Sequence, residues 1–228
     1  MFGFTLNHTV TSASLGVRVT GPVDIPVARR VVDDIEVTGR AGTLTRHLGW
    51  ADITIRLPLA VKGGISGYQQ AVLALEAART IELTSQPGVY RRIKHVRVEP
   101  LRRELASWRL FEAEVCCQPF TYLTSGLQVQ TLTASGTITN PGLLDAAPVI
   151  TVHGTGRLEL KINGTTHVLN APSGRLTVDA DRLATHVSGK TQTDGLTGPF
   201  PTLKPGVNRI TLGAGISRVE IQGNWRNP

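Results

Sequence analysis

Only one stretch of this chain carries a helical period, and that restriction decides most of what the chain can fold into. In SGYQQAVLALEAAR (66–79), Tyr68, Val72, Leu75 and Ala78 recur at helical spacing, with Ala71 beside them. Ser66 stands where an N-cap belongs, and Gly63-Gly64 breaks what precedes it. Almost everywhere else, apolar residues either alternate or sit in short runs bounded by Gly, Pro or Asn. In DITIRLPLAV (52–61), Ile53, Ile55, Leu57, Leu59 and Val61 share one face, which predicts a half-buried strand. Pro58 has no N–H for a ladder, which predicts an edge or a bulge there. Further strands are predicted at 80–84, 89–98 and 106–118, the last with Phe111, Ala113, Val115 and Cys117 on its inner face. The turn Pro87-Gly88 separates the first two of these.

The composition shifts near residue 124 to small, polar and turn-rich. The boundary is placed within 124–132, giving a domain 1–127 that contains the helix and an all-strand domain 128–228. In the second, Leu158, Leu160 and Ile162 alternate with charged residues before Asn163-Gly164, the pair that a type I′ hairpin turn favours. Strands at 146–153, 175–180, 207–213 and 216–222 complete a pattern that points to a β-sandwich or jelly roll. The fold class expected is therefore mainly β: an antiparallel sandwich or split barrel with one helix, followed by a second β-sandwich.

Several function classes find no support in the residues. No apolar run reaches the roughly 20 residues that span a bilayer, and the N-terminus lacks the basic and apolar regions of a signal peptide. The 2 cysteines, Cys116 and Cys117, are adjacent and point to opposite faces of a strand, so no disulfide framework is expected. The 6 histidines (His8, His47, His95, His153, His167 and His186) show no metal-ligand spacing. Asp179 and Asp181 form a lone carboxylate pair, short of the ligands a cation needs. No nucleophile motif or P-loop occurs, so the sequence leads us to expect neither a catalytic residue, a metal nor a cofactor. Two N-x-T sequons, at Asn7 and Asn163, have no secretory context.

The formal net charge is +7, and the excess is local. Between Arg91 and Arg109, 7 basic residues stand against Glu99 and Glu104, a local balance of +5. Such clustering can attract phosphates, or it can line a solvated strand and pair with acids on a neighbouring subunit. The absence of any nucleic-acid motif favours the second reading.

One resemblance runs in order through nearly all of the second domain. TITNPGLLDAAPVITVHGTGRLELKING (137–164), LTVDADRLA (176–184), FPTLKPGVNRITL (200–212) and VEIQGNWR (219–226) together resemble the C-terminal domain of siphophage distal tail proteins. The residues that carry it are Asn140, Pro141, Gly142, Pro148, Phe200, Pro201, Leu203, Pro205, Gly206, Asn208, Trp225 and Arg226. In the first domain, VTGRAGTLTRHLGWADITIRLPL (37–59) is similar to the family's "GR-x-G" segment, with Arg40 and Gly42 at those positions. Turn chemistry explains some of these residues: Gly206 after Pro205 suits a type II turn, and Pro148 suits the first residue of a strand.

The resemblance implies a virion tail component that is assembled in the host cytoplasm. It would be a hexameric ring joining the distal end of the tail tube to the baseplate or tip hub. Its partners would be copies of itself, the tube protein, a hub or tail-associated protein, and receptor-binding or side-fibre proteins. The second domain would be a galectin-like platform, and DNA would pass through the ring without specific binding. Arg40, Gly42, Arg91, Arg92, Lys94 and Arg97 become candidates for the contact between subunits. Two alternatives stand beside this: a carbohydrate-binding module, for which exposure of Trp225 would speak, and the equivalent ring protein of a gene transfer agent or phage-like bacteriocin.

Overall fold

The computed structural model describes residues 2–101, 103–104 and 108–228, the side chains of 103 and 104 excepted. It divides the chain into two compact units, one up to Thr121 and one from Tyr122 to Asn227. The division falls inside the strand Trp108–Leu123, a few residues before the composition shift.

In the first unit, one antiparallel sheet runs in the order Val10–Thr11, Phe4–Leu6, Thr80–Leu83, Val89–Val98, Trp108–Leu123, Ile53–Lys62, Val17–Val19. The alternation read from 52–61 is realised: Ile53, Ile55, Leu57, Leu59 and Val61 are all buried. They face Phe111, Ala113, Val115 and Cys117 of the paired strand, which are buried too. This core closes around Ala71 and Leu75 of the helix, while Tyr68 meets Phe111 edge-to-face at 5.1 Å.

Two expectations shift here. The helix spans Gly64–Glu76, and its N-cap is Gly63 at φ 102, not Ser66. The start moves because strand and helix approach so closely: a Cβ at Gly67 would lie 2.3 Å from the Lys62 carbonyl oxygen. Pro58 lies in an interior strand, yet the neighbour Val17–Val19 stops opposite Leu59, so no ladder N–H is needed from Pro58 on that side. Its carbonyl accepts from Thr20 instead.

The second unit is a sandwich of two antiparallel sheets. One has six strands, in the order Val129–Leu132, Arg218–Gln222, Val149–His153, Arg175–Asp179, Ala184–Val187, Lys190–Thr191. The other has five: Gly136–Asn140, Gly206–Leu212, Gly156–Ile162, Thr165–Ala171, Leu196–Thr197. Their inner faces meet over Ile150, Leu158, Leu160, Leu176, Ile210 and Ile221, with Trp225 closing the core. The hairpin turn at Asn163-Gly164 has φ 51 and 86, the positive values a type I′ turn requires.

Candidate assembly interface

The sequence reading missed the most exposed element of the molecule. Among the described residues, Arg30–Glu36 and Thr43–Trp50 pair only with each other, as a two-stranded antiparallel ribbon. Every residue of both strands is exposed except Trp50, which is half-buried. A bulge between Val31 and Val32 leaves Leu48 as the extra residue on the returning strand. From the register, Val31, Asp33, Ile35, Leu44 and Arg46 occupy one face. Val32, Asp34, Glu36, Thr43, Thr45 and His47 occupy the other, with Trp50 on their side.

The first face is the apolar one. Val31 is 38% exposed, Ile35 43% and Leu44 43%, and Leu48 at the bulge is 55% exposed. The second face is polar except for Val32 and, at the base, Trp50, and Thr45 donates to the Asp34 carboxylate there. A two-stranded ribbon is marginal by itself in water. This one is held at its base, where Arg30 lies 5.0 Å above the Trp50 ring and Trp50 meets Phe120 edge-to-face at 5.8 Å. Towards the tip no described residue of its own unit buries it. Arg40 and Gly42 sit at that tip, with Gly39 and Gly42 at φ 82 and 80, so two of the six candidate contact residues fall on this ribbon.

The other four lie on the sheet strand Val89–Val98, and they do not present a bare cationic face. Arg91 is only 4% exposed: it points inward rather than out, and burial lowers the pKa of its guanidinium. Among the described residues, its Nε has no hydrogen-bond partner. Arg92 is half-buried. Lys94 donates to Asp52 at 2.5 Å, and Arg97 pairs with Glu99 at 3.4 Å. Arg56 on a neighbouring strand pairs with Glu114 at 3.1 Å. Arg102 and the side chains of Arg103 and Glu104 lie outside the described residues.

The motif residues of the second unit are structural staples. Asn140 donates to the carbonyls of Leu144 and Leu203 and accepts from the Gly142 N–H. A Cβ at Gly142 would stand 2.7 Å from the Arg226 carbonyl oxygen. The Pro148 carbonyl accepts from Ala180. Pro201 and Leu203 are buried, and Phe200 packs against the core. Gly206 has φ 85 behind Pro205, and Asn208 is fully buried with its amide saturated. Trp225 is 2% exposed, so it forms no surface platform for a sugar ring. Arg226 Nε donates to the Asp145 carbonyl. Asp179 spends a carboxylate oxygen on the N–H groups of Asp181 and Arg182, an ordinary turn contact. Among the described residues, no three His, Cys, Asp or Glu side chains converge as a metal site would need.

The whole architecture has relatives among solved structures. The Dit protein of phage SPP1, described as a paradigm of the hub adsorption apparatus in phages that infect Gram-positive bacteria, superposes with a TM-score of 0.66 at 15% identity, covering 97% of this chain and 98% of that one. A chain of the phage P2 baseplate in its activated conformation with Ca superposes at 0.58 and 8% identity, over 100% and 98% of the two chains. The same baseplate with Sr gives 0.53 at 8% identity, over 96% of each. This chain has their fold. No protein-family model matches it, and neither does any curated protein sequence. The three likenesses cover 96–100% of this chain.

Proposed function

We propose that this protein is a structural, non-enzymatic subunit of a bacteriophage tail. Six copies close into a ring that joins the distal end of the tail tube to the baseplate or tip hub. In this reading the first unit builds the ring wall, and the second, galectin-like in layout, is an attachment platform for hub, receptor-binding or side-fibre proteins. The observation that carries it is the end-to-end correspondence with the SPP1 Dit chain, over 97% of this chain and 98% of that one. The ribbon adds a physical reason: an element this exposed, with an apolar face, needs a second surface to cover it.

The paired charges on the sheet agree with a channel that DNA traverses without holding it. Lys94, Arg97 and Arg56 all have carboxylates within the chain, which leaves less free charge to release counterions from phosphate. The burial of Trp225 removes the aromatic platform on which the sugar-binding alternative relied.

Light scattering and negative-stain images of one purified fraction test the proposal. Particles at six times the 24.5 kDa chain mass, with a central hole, are the expected result. If the chain stays monomeric alone and also fails to bind purified tube protein, the proposal is wrong.

A further inference from the structure

The sequence holds one Asn-Gly pair, Asn163-Gly164, and that pair carries chemistry of its own. With no Cβ on the second residue, the Gly164 backbone nitrogen has an open path to the Asn163 side-chain carbonyl carbon. In that reaction the new N–C bond forms, the bond to Nδ2 breaks, and ammonia leaves with the proton of the Gly164 N–H. Water then opens the cyclic imide to aspartate or isoaspartate, so solvent is the only reagent. The nucleophile is accessible: Gly164 is exposed at the hairpin tip at φ 86, with nothing within 4 Å of where a Cβ would stand.

The electrophile is held. Asn163 Nδ2 donates to Asn208 Oδ1 at 2.7 Å, and Asn163 Oδ1 accepts from the Arg209 N–H at 2.9 Å. The Asn163 backbone N–H donates to the Arg209 carbonyl at 2.9 Å. Both ends of the side-chain amide are therefore tied to the strand Gly206–Leu212, and turning its carbon onto the Gly164 nitrogen breaks both bonds. Asn208 cannot yield, because it is fully buried and its own amide is occupied. Its Oδ1 also accepts from the Lys204 N–H at 2.8 Å, and its Nδ2 donates to the carbonyls of Lys204 at 2.8 Å and Gly206 at 3.0 Å.

We infer that Asn163 is a latent deamidation site and that Asn208 holds it shut. The product cannot restore the hold. A carboxylate at 163 has no N–H to donate and sets an oxygen against Asn208 Oδ1, which cannot turn over without giving up its other three bonds. One deamidation would thus untie the Asn163-Gly164 turn from the Pro205-Gly206 turn.

Ageing the full-length protein at neutral pH, below its melting temperature, tests this. The peptide containing residue 163 is weighed for the gain that accompanies amide-to-acid conversion. N208A is expected to deamidate there on the order of tenfold faster than the parent. V178A removes buried contacts in the other sheet and leaves the hold intact, so it is expected to keep the parent's rate. N208A as slow as the parent, or V178A as fast as N208A, overturns the inference. A second measurement needs no variant. In the parent, the side-chain amide protons of Asn163 are expected to exchange on the order of tenfold more slowly than those of the exposed Gln130. Equal exchange rates overturn the inference too.

Discussion

Asn163 and Asn208 lock together across two strands of the five-stranded sheet. Asn163 Nδ2 donates to Asn208 Oδ1 at 2.7 Å, while Asn163 Oδ1 accepts from the Arg209 N–H. Asn208 in turn accepts from the Lys204 N–H and donates to the carbonyls of Lys204 and Gly206. One buried amide thus ties the Pro205-Gly206 turn to the Asn163-Gly164 turn.

Asn208→Ala removes that tie and strands several buried polar groups. It is expected to destabilise the second unit by about 2–4 kcal/mol, since each unsatisfied group costs about 1–3 kcal/mol. Urea unfolding followed by Trp225 fluorescence checks it. A shift no larger than that of an exposed control such as Thr202→Ala refutes the locking role.

The pH dependence of the first unit follows from Cys117. Burial pushes this thiol from an ordinary value of 9.0 up to about 12. A group whose folded pKa is raised contributes stability that is whole below the unfolded pKa and is lost as pH climbs through the folded one. Stability is therefore expected to fall between about pH 9 and pH 12, by on the order of 4 kcal/mol at the top of that window. Melting temperatures across the alkaline range check this, and Cys117→Ala is expected to flatten the slope. Cys116, which is half-buried, is expected to react with iodoacetamide in the folded protein, and Cys117 is not.

Arg91 is buried, and among the described residues its Nε meets no acceptor. Burying a charge in this way costs solvation. Arg91→Met keeps the length of the side chain without the charge, and is expected to leave stability unchanged or raise it by about 1 kcal/mol. A loss above about 2 kcal/mol in chemical unfolding contradicts this account.

Ile35 and Leu44 face each other across the ribbon. Replacing both with Ser removes apolar contact where little of it is buried. The expected cost to the isolated chain is below about 1 kcal/mol, the size of a cross-strand pair. Association is expected to suffer far more, and sedimentation against concentration separates the two effects.

How much of this was legible in the sequence depends on whether burial reinforced the pattern. The strands at 53–61 and 111–117 alternate because one side is buried, so the period is clean. The Asn163-Gly164 turn carries its own chemistry and needed no context. The ribbon failed both tests. Val31-Val32 and Asp33-Asp34 come in pairs that blur a period of two, and the bulge at Leu48 shifts the phase of the returning strand. With no core beneath it, nothing obliged one face to read as apolar throughout. The charge balance around the basic segment was hidden for a different reason: Asp52, which neutralises Lys94, comes from elsewhere in the chain, as Glu114 does for Arg56 on a nearby strand. Only the folded register brings those pairs together. The helix start moved because the strand turns into the helix directly at Gly63 and Gly64, so tightly that Gly67 lies against the Lys62 carbonyl, a local close approach that no side-chain capping rule records.

The extra residue at Leu48 has an effect on direction. Leu44 and Trp50 are six residues apart, so in a regular strand they would look the same way. The bulge puts them on opposite sides. Paired without it, the same sequence would turn Leu44 onto the Trp50 side, away from Val31 and Ile35. With it, the tryptophan holds the ribbon from behind while the leucine looks outward. One residue out of phase gathers Leu44 with Val31 and Ile35 on a single exposed face.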